Sequence, residues 1–165
     1  MKLSILKYIE NKFPKEKFLK NLNKKKLSWF YENQKADAIN GYQSIKKFLK
    51  KDMKILEVGG GMHFLSNYLA YLNYNITSIE PGGFRKEIDI IRYKILKMKE
   101  KKLIIENDNL EKFSENRSNE FDFIFSINVL EHTKNIYHHL KSQDKLLKNR
   151  RSIGHIRCPN YKIIT

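Results

Sequence analysis

The sequence has one cysteine, three prolines and one tryptophan in 165 residues. Cys158 alone cannot close an internal disulfide, which excludes the stapled, loop-rich folds of small secreted proteins. Long hydrophobic runs are also missing, and no stretch approaches the roughly 18 to 20 apolar residues of a membrane helix. The opening MKLSILKYIENKF interrupts its apolar residues with Lys and Glu too often for a signal peptide. A soluble cytoplasmic chain with no membrane partner is therefore expected. Acids are scarce, 18 against 33 basic residues, for a net charge of +15. Arginine is scarce as well, since 27 of the cations are Lys and only 6 are Arg. Together with abundant Ile and Asn, this is a mixture that an AT-rich coding sequence produces without selection for binding. It weakens the usual inference from charge to nucleic acid or anionic surfaces. What is plentiful is core material: 41% of residues are apolar, with 10 Phe and 9 Tyr, which argues against disorder. The length suits one compact domain.

The charge is unevenly placed. Residues 1–51 hold 14 Lys and 4 acids, and residues 141–165 hold 7 cations and 1 acid. Between them, 52–140 is balanced, with 12 cations and 13 acids. The periodicity changes at the same boundary. Leu3, Leu6 and Ile9, then Phe18, Leu19 and Leu22, fall at helical spacing, with Pro14 placed to open a second helix. A third helix is expected over 29–50, kinked or begun at Asn40-Gly41, and Asn23 to Lys26 reads as a solvated linker. Residues 1–51 are thus a basic helical cap, and 52–165 a second unit.

From Lys54 onward, short apolar runs alternate with helical stretches. Strands are expected at Lys54 to Val58, Asn75 to Ile79, Leu103 to Glu106, Phe121 to Ile127 and Ile153 to Cys158. Helices are expected near Phe64 to Tyr71, Phe84 to Lys99 and Ile136 to Leu147. Such alternation predicts an α/β fold with a Rossmann-like, doubly wound and mostly parallel sheet of about five strands.

The first strand runs into Glu57-Val58-Gly59-Gly60-Gly61-Met62-His63-Phe64. Bare glycine backbone lets a ligand come close, and amides at a helix start offer donors to a carboxylate or phosphate. A P-loop would need Gly-Lys-Ser/Thr, which is absent, and Phe64 stands where a dinucleotide fingerprint has its third Gly. The acid two residues before the first glycine instead resembles motif I of the class I S-adenosylmethionine-dependent methyltransferases, acid-x-G-x-G-x-G. His63 replaces the third glycine of that pattern.

Three further segments extend the resemblance. Asn75-Ile76-Thr77-Ser78-Ile79-Glu80 ends a strand in an acid 21 residues after Gly59, where a carboxylate accepts both hydroxyls of a ribose. The polar turn after Leu103 to Glu106 holds Asp108, which the resemblance assigns to the adenine amino group, although Asn and Asp favour turns in any case. Asn128-Val129-Leu130-Glu131-His132 resembles the polar-x-x-Leu-Glu-His segment of small-molecule methyltransferases of the ubiquinone-biosynthesis type. The resemblance implies S-adenosyl-L-methionine as cofactor, contacted by Glu57, Gly59, Gly60, Gly61, Glu80, Asp108 and Asn128, and a small-molecule methyl acceptor. His132 is a weak candidate for general base, although in the family the Glu-His pair often caps the following helix or lines the cofactor site. His138 and His139 point to different faces of a helix and have no Cys or carboxylate at metal-ligand spacing, so no metal is expected.

The resemblance covers about 52–161. Arg150-Arg151 stands where the family has a Gly-Gly turn before its fifth strand, so that strand is expected to begin late, ending in Pro159-Asn160. The family's last two strands are expected to be missing, which would leave the fifth strand as an edge needing cover, with a homo-oligomer as one candidate for it. One alternative is a truncated, inactive remnant acting as a binding module. Another is an RNA methyltransferase gripping nucleic acid with its basic helices, disfavoured because no Asn-Pro-Pro-Tyr type of segment is present. A nicotinamide dehydrogenase ranks last.

Overall fold

The computed structural model describes residues 2–20, 24–83, 85–156 and 163–164. Helix α1 (Ile5–Lys12) is capped by Ser4, whose side chain accepts the amide of Lys7, and α2 (Lys15–Leu19) opens at Pro14. Helix α3 spans Lys24–Ile45, so Lys24 to Lys26 are helical rather than linker, and Asn23 lies outside the described residues. The helix runs without a break through Asn40-Gly41. A Cβ at Gly41 would stand 2.3 Å from Ile127 Cδ1, so the glycine serves close packing of α3 on the sheet instead of a kink.

Strands β1 (Lys54–Val58), β2 (Asn75–Ile79), β3 (Leu103–Glu106) and β4 (Phe121–Ile127) lie where their apolar runs predict. Helix α4 (Phe64–Tyr71) follows β1, α5 (Lys86–Lys97) follows β2, and α7 (Ile136–Leu146) follows β4. Phe84, expected to open α5, lies outside the described residues. A short α6 (Leu110–Phe113), capped by Asn109, is an addition that too few apolar residues announce. Strand β5 (Leu147–Ile156) begins early, not late, and Arg150-Arg151 lie within it. The missing Gly-Gly turn explains this, since α7 passes into β5 without one. Cys158, Pro159 and Asn160 lie outside the described residues.

The sheet order is β3-β2-β1-β4-β5-β6, with β1 to β5 parallel. This is the expected Rossmann-like, doubly wound architecture. The fifth strand is not wholly an open edge: β6 (Ile163–Ile164) pairs antiparallel with His155 and Ile156. The change of charge at residue 51 is not a break in the core. Ile5, Ile9, Phe13, Tyr31 and Ile45 share one buried cluster with Ile55, Phe64, Leu69 and Phe123. Among the described residues no helix is long and apolar enough to cross a membrane.

Candidate functional site

Strands β1, β2 and β4 leave the sheet in the same direction, and the order reverses between β1 and β4, where such folds open a crevice. A cavity of about 620 Å³ lies there. Of the predicted residues, Gly59, Gly61, Glu80, Asp108, Asn128 and His132 line it. Sequence separations of up to 73 residues collapse into one pocket because each residue follows the carboxyl end of a strand or the turn beyond it.

Glu57 and Gly60 do not line that cavity; they sit behind the turn, at a small void of about 30 Å³. Glu57 is buried and accepts the Ser78 hydroxyl at 2.8 Å, while His63 Nδ1 stands 2.9 Å from the same Ser78 oxygen. With the Ser78 hydrogen given to Glu57, His63 donates from Nδ1 to Ser78. Burial pushes the Glu57 carboxyl up to about 7, and burial, with Arg92 nearby, pushes His63 down to about 3. A Cβ on Gly60 would stand 2.1 Å from Ser78 Oγ and 2.5 Å from His63 Nδ1, so this glycine makes room for the buried knot. His63 takes the third glycine's place in a left-handed conformation, φ 57°. Its carbonyl accepts from the Asn67 amide at 3.0 Å and the Asn67 side chain at 2.8 Å.

The turn's amides are not the open anion cradle that the glycines suggest. Gly59 and Gly60 both donate to the Ile79 carbonyl, Gly61 to Glu80 Oε2, Met62 to Gln34 Oε1, and His63 to the Gly60 carbonyl. Five successive donors are satisfied within the protein, because the turn packs against the end of β2 on one side and α3 on the other. Gly59 (φ 74°) is confined from the β4 side, where a Cβ would stand 2.3 Å from Val129 Cγ2.

Glu80 closes the floor of the cavity. Its Oε2 accepts the Gly61 amide at 3.0 Å, and its Oε1 faces Arg92 Nη2 at 3.3 Å. Asp108 stands in the turn after β3 and pairs with Lys112 at 2.6 Å, while its neighbour Asn109 caps α6. Asn128 takes a left-handed conformation, φ 54°, at the end of β4, which turns the chain sharply along the cavity wall. Ile79, Leu110 and Val129 supply apolar lining around these polar groups. His132 ends an exposed 3₁₀ turn, Leu130–His132; the cap of α7 is Asn135, which accepts the His138 amide at 2.9 Å, so the Glu131-His132 pair does not cap that helix.

A family model described as a methyltransferase domain matches residues 30–154. The chain belongs to this methyltransferase-domain family. It is 39% identical over 113 residues to uncharacterized proteins of two Mycobacterium tuberculosis strains, a match covering 65% of this chain and 36% of the relative. The chain thus spans about a third of the length of the curated relatives it matches. Its fold is similar to that of an S-adenosylmethionine-dependent methyltransferase from Aquifex aeolicus, with a TM-score of 0.59 and 18% identity, over 94% of this chain and 73% of that one. It is also similar to a Haemonchus contortus phosphoethanolamine N-methyltransferase, with a TM-score of 0.63 and 14% identity, over 93% of this chain and 35% of that one.

In this methyltransferase domain, several lining residues escape sequence reasoning. Phe30, Gln34 and Asp37 come from α3, and Arg92 from α5. Gln34 and Asp37 lie three apart on one helical face, a spacing legible in the sequence, but nothing there says that α3 crosses the glycine turn. His139 stands 3.4 Å from Glu111 of α6, a carboxylate partner that sequence spacing hides. Among the described residues no three His, Cys, Asp or Glu side chains are grouped to hold a metal.

Proposed function

We propose that this domain binds S-adenosyl-L-methionine and transfers its methyl group to a small-molecule acceptor. The observation that carries this reading is the single cavity joining Glu80, Asp108 and Asn128 to the glycine turn. The donor and acceptor set suits an adenosyl group. Glu80 offers two carboxylate oxygens to ribose hydroxyls, Asp108 an acceptor for an exocyclic amine, and Ile79, Leu110 and Val129 apolar contact for a purine. A volume of about 620 Å³ falls within the usual range for pockets of this kind. The satisfied amides of the turn speak against a phosphate as the principal ligand.

Bound there, the cofactor would supply an electrophilic methyl on a sulfonium, whose sulfur keeps the bonding pair as an acceptor lone pair takes the carbon. The chain's part is to hold two reactants in line and exclude water, which requires no dedicated nucleophile. Glu57 and Gly60 act behind the turn, shaping it. In this reading His132, which lines the cavity, is the candidate to take a proton from an acceptor that must lose one. The single cysteine fits a cytoplasmic location. Calorimetric titration with S-adenosylmethionine tests the reading: saturable binding by the wild type that Glu80→Ala weakens is expected, and no wild-type binding, or equal binding by the variant, overturns it.

A further inference from the structure

Arg92 lies outside every motif of the sequence, yet its guanidinium meets three groups at the cavity wall. The residue is 8% exposed. Its Nε donates to the Gly61 carbonyl at 2.9 Å, its Nη2 faces Glu80 Oε1 at 3.3 Å, and its Nη1 faces Asp89 Oδ1 at 3.2 Å. Glu80 Oε2 in turn accepts the Gly61 amide. Gly61 and Glu80 are thus joined twice, once directly and once through Arg92, in a closed ring spanning the glycine turn, the end of β2 and α5. Asp89 also accepts the Gly83 amide at 3.3 Å, which ties the loop after β2 to the same ring.

A guanidinium this buried is retained only where its partners compensate for lost hydration. The planar fork of Arg meets three acceptors in fixed directions, which a lysine ammonium on a flexible stem does not. We propose that Arg92 is the positioning residue for ribose recognition, fixing the Glu80 carboxylate in the orientation that receives the two ribose hydroxyls. This rests on the cofactor reading above. In the ring Glu80 Oε2 accepts the Gly61 amide and Oε1 is ion-paired with Arg92 at 3.3 Å, and a carboxylate oxygen has two lone pairs, so both oxygens keep an acceptor site for the ligand while rotation of the carboxylate is restrained. Fixing the acceptor before the ligand arrives removes an ordering cost from binding.

The test is a cycle between the side chain and the ligand's hydroxyl, measured calorimetrically on the full chain with S-adenosylhomocysteine and its 2′-deoxyribose analogue. Wild type is expected to bind the deoxy analogue about tenfold more weakly, as for loss of one hydrogen bond to a charged group. In Arg92→Met that penalty is expected to shrink to about twofold, with S-adenosylhomocysteine itself bound more weakly. Arg92→Lys, which keeps the charge and spares the fold if the Met variant does not fold, is expected to show an intermediate penalty. A role in stability alone would weaken both ligands equally. An unchanged deoxy penalty in the variant that folds therefore overturns the inference, as does unchanged affinity for S-adenosylhomocysteine. Failure of the wild type to bind either ligand overturns the cofactor reading, and this inference with it.

Discussion

The two faces of the glycine turn have opposite chemistry. Toward the sheet interior, Glu57, His63 and Ser78, with Gly60 beside them, form a buried polar knot whose two titratable members are both driven toward their neutral forms. Toward the cavity, Gly59, Gly61 and Glu80 meet a buried guanidinium and an opening of about 620 Å³. Two acids at the ends of neighbouring strands, Glu57 of β1 and Glu80 after β2, therefore have different tasks. One shapes the turn from behind, and the other stands where a ligand can reach it. The neighbours decide which is which: Glu57 is buried against Ser78, where lost hydration favours its neutral form, whereas Glu80 faces the Arg92 guanidinium at the cavity.

The sharpest way to break this comparison is through pH. The folded-state carboxyl of Glu57 lies above its unfolded value, so its contribution is fully present below about pH 4.5 and is lost as pH rises through about 7. Glu57→Gln removes this dependence. Relative to wild type it is expected to gain about 3 kcal/mol in unfolding free energy between pH 4.5 and 7.5. Urea titrations at both pH values measure this, and a flat difference would overturn the burial of Glu57 as the cause.

On the cavity side, Glu80→Ala is expected to weaken S-adenosylhomocysteine binding about a hundredfold, the scale of two hydrogen bonds to a charged acceptor. If Glu57→Gln weakened binding as much, the division between the two faces would fail. Gly60→Ala should act on the other side. Its Cβ would overlap Ser78 and His63, so a loss of about 2 kcal/mol in stability is expected, with the affinity of the folded fraction changed much less. Thermal unfolding with and without ligand separates the two effects. The smallest expected effect belongs to Asp108→Ala, about fivefold in ligand affinity with melting temperature nearly unchanged, since its ion pair with Lys112 is largely exposed. A clear drop in melting temperature with full affinity would make Asp108 a turn-former only.

The charge asymmetry that dominates the composition bears on neither face of the turn. Eight of the fourteen lysines of residues 1–51 belong to helices α1, α2 and α3, whose apolar residues enter the common core, and several are paired: Lys12 with Glu100, Lys15 with Glu32, and Lys35 with Glu10 and Glu32. The cavity wall, by contrast, carries Asp37, Glu80, Asp108 and Glu111 against Arg92 and Lys134.

Apart from the short α6 and the 3₁₀ turn at Leu130–His132, the sequence by itself determined the order and type of elements from Lys54 to Leu146, because apolar runs of strand length alternate there with helical periodicity. It also located the ends of β1, β2, β3 and β4, where polar residues and glycines stop each run, and hence Gly59, Glu80, Asp108 and Asn128. Only the tertiary structure decided which face of the turn each residue serves. Glu57 and Glu80 are both acids beside the end of a strand, and their separation into buried knot and cavity floor depends on how β1 and β2 pair, Glu57 opposite Ser78. Nor could local pattern reveal Arg92, which reads as one more cation on an amphipathic helix until α5 packs its guanidinium between Gly61 and Glu80. Local periodicity encodes which side of an element is buried; what it is buried against is set by chain segments tens of residues away.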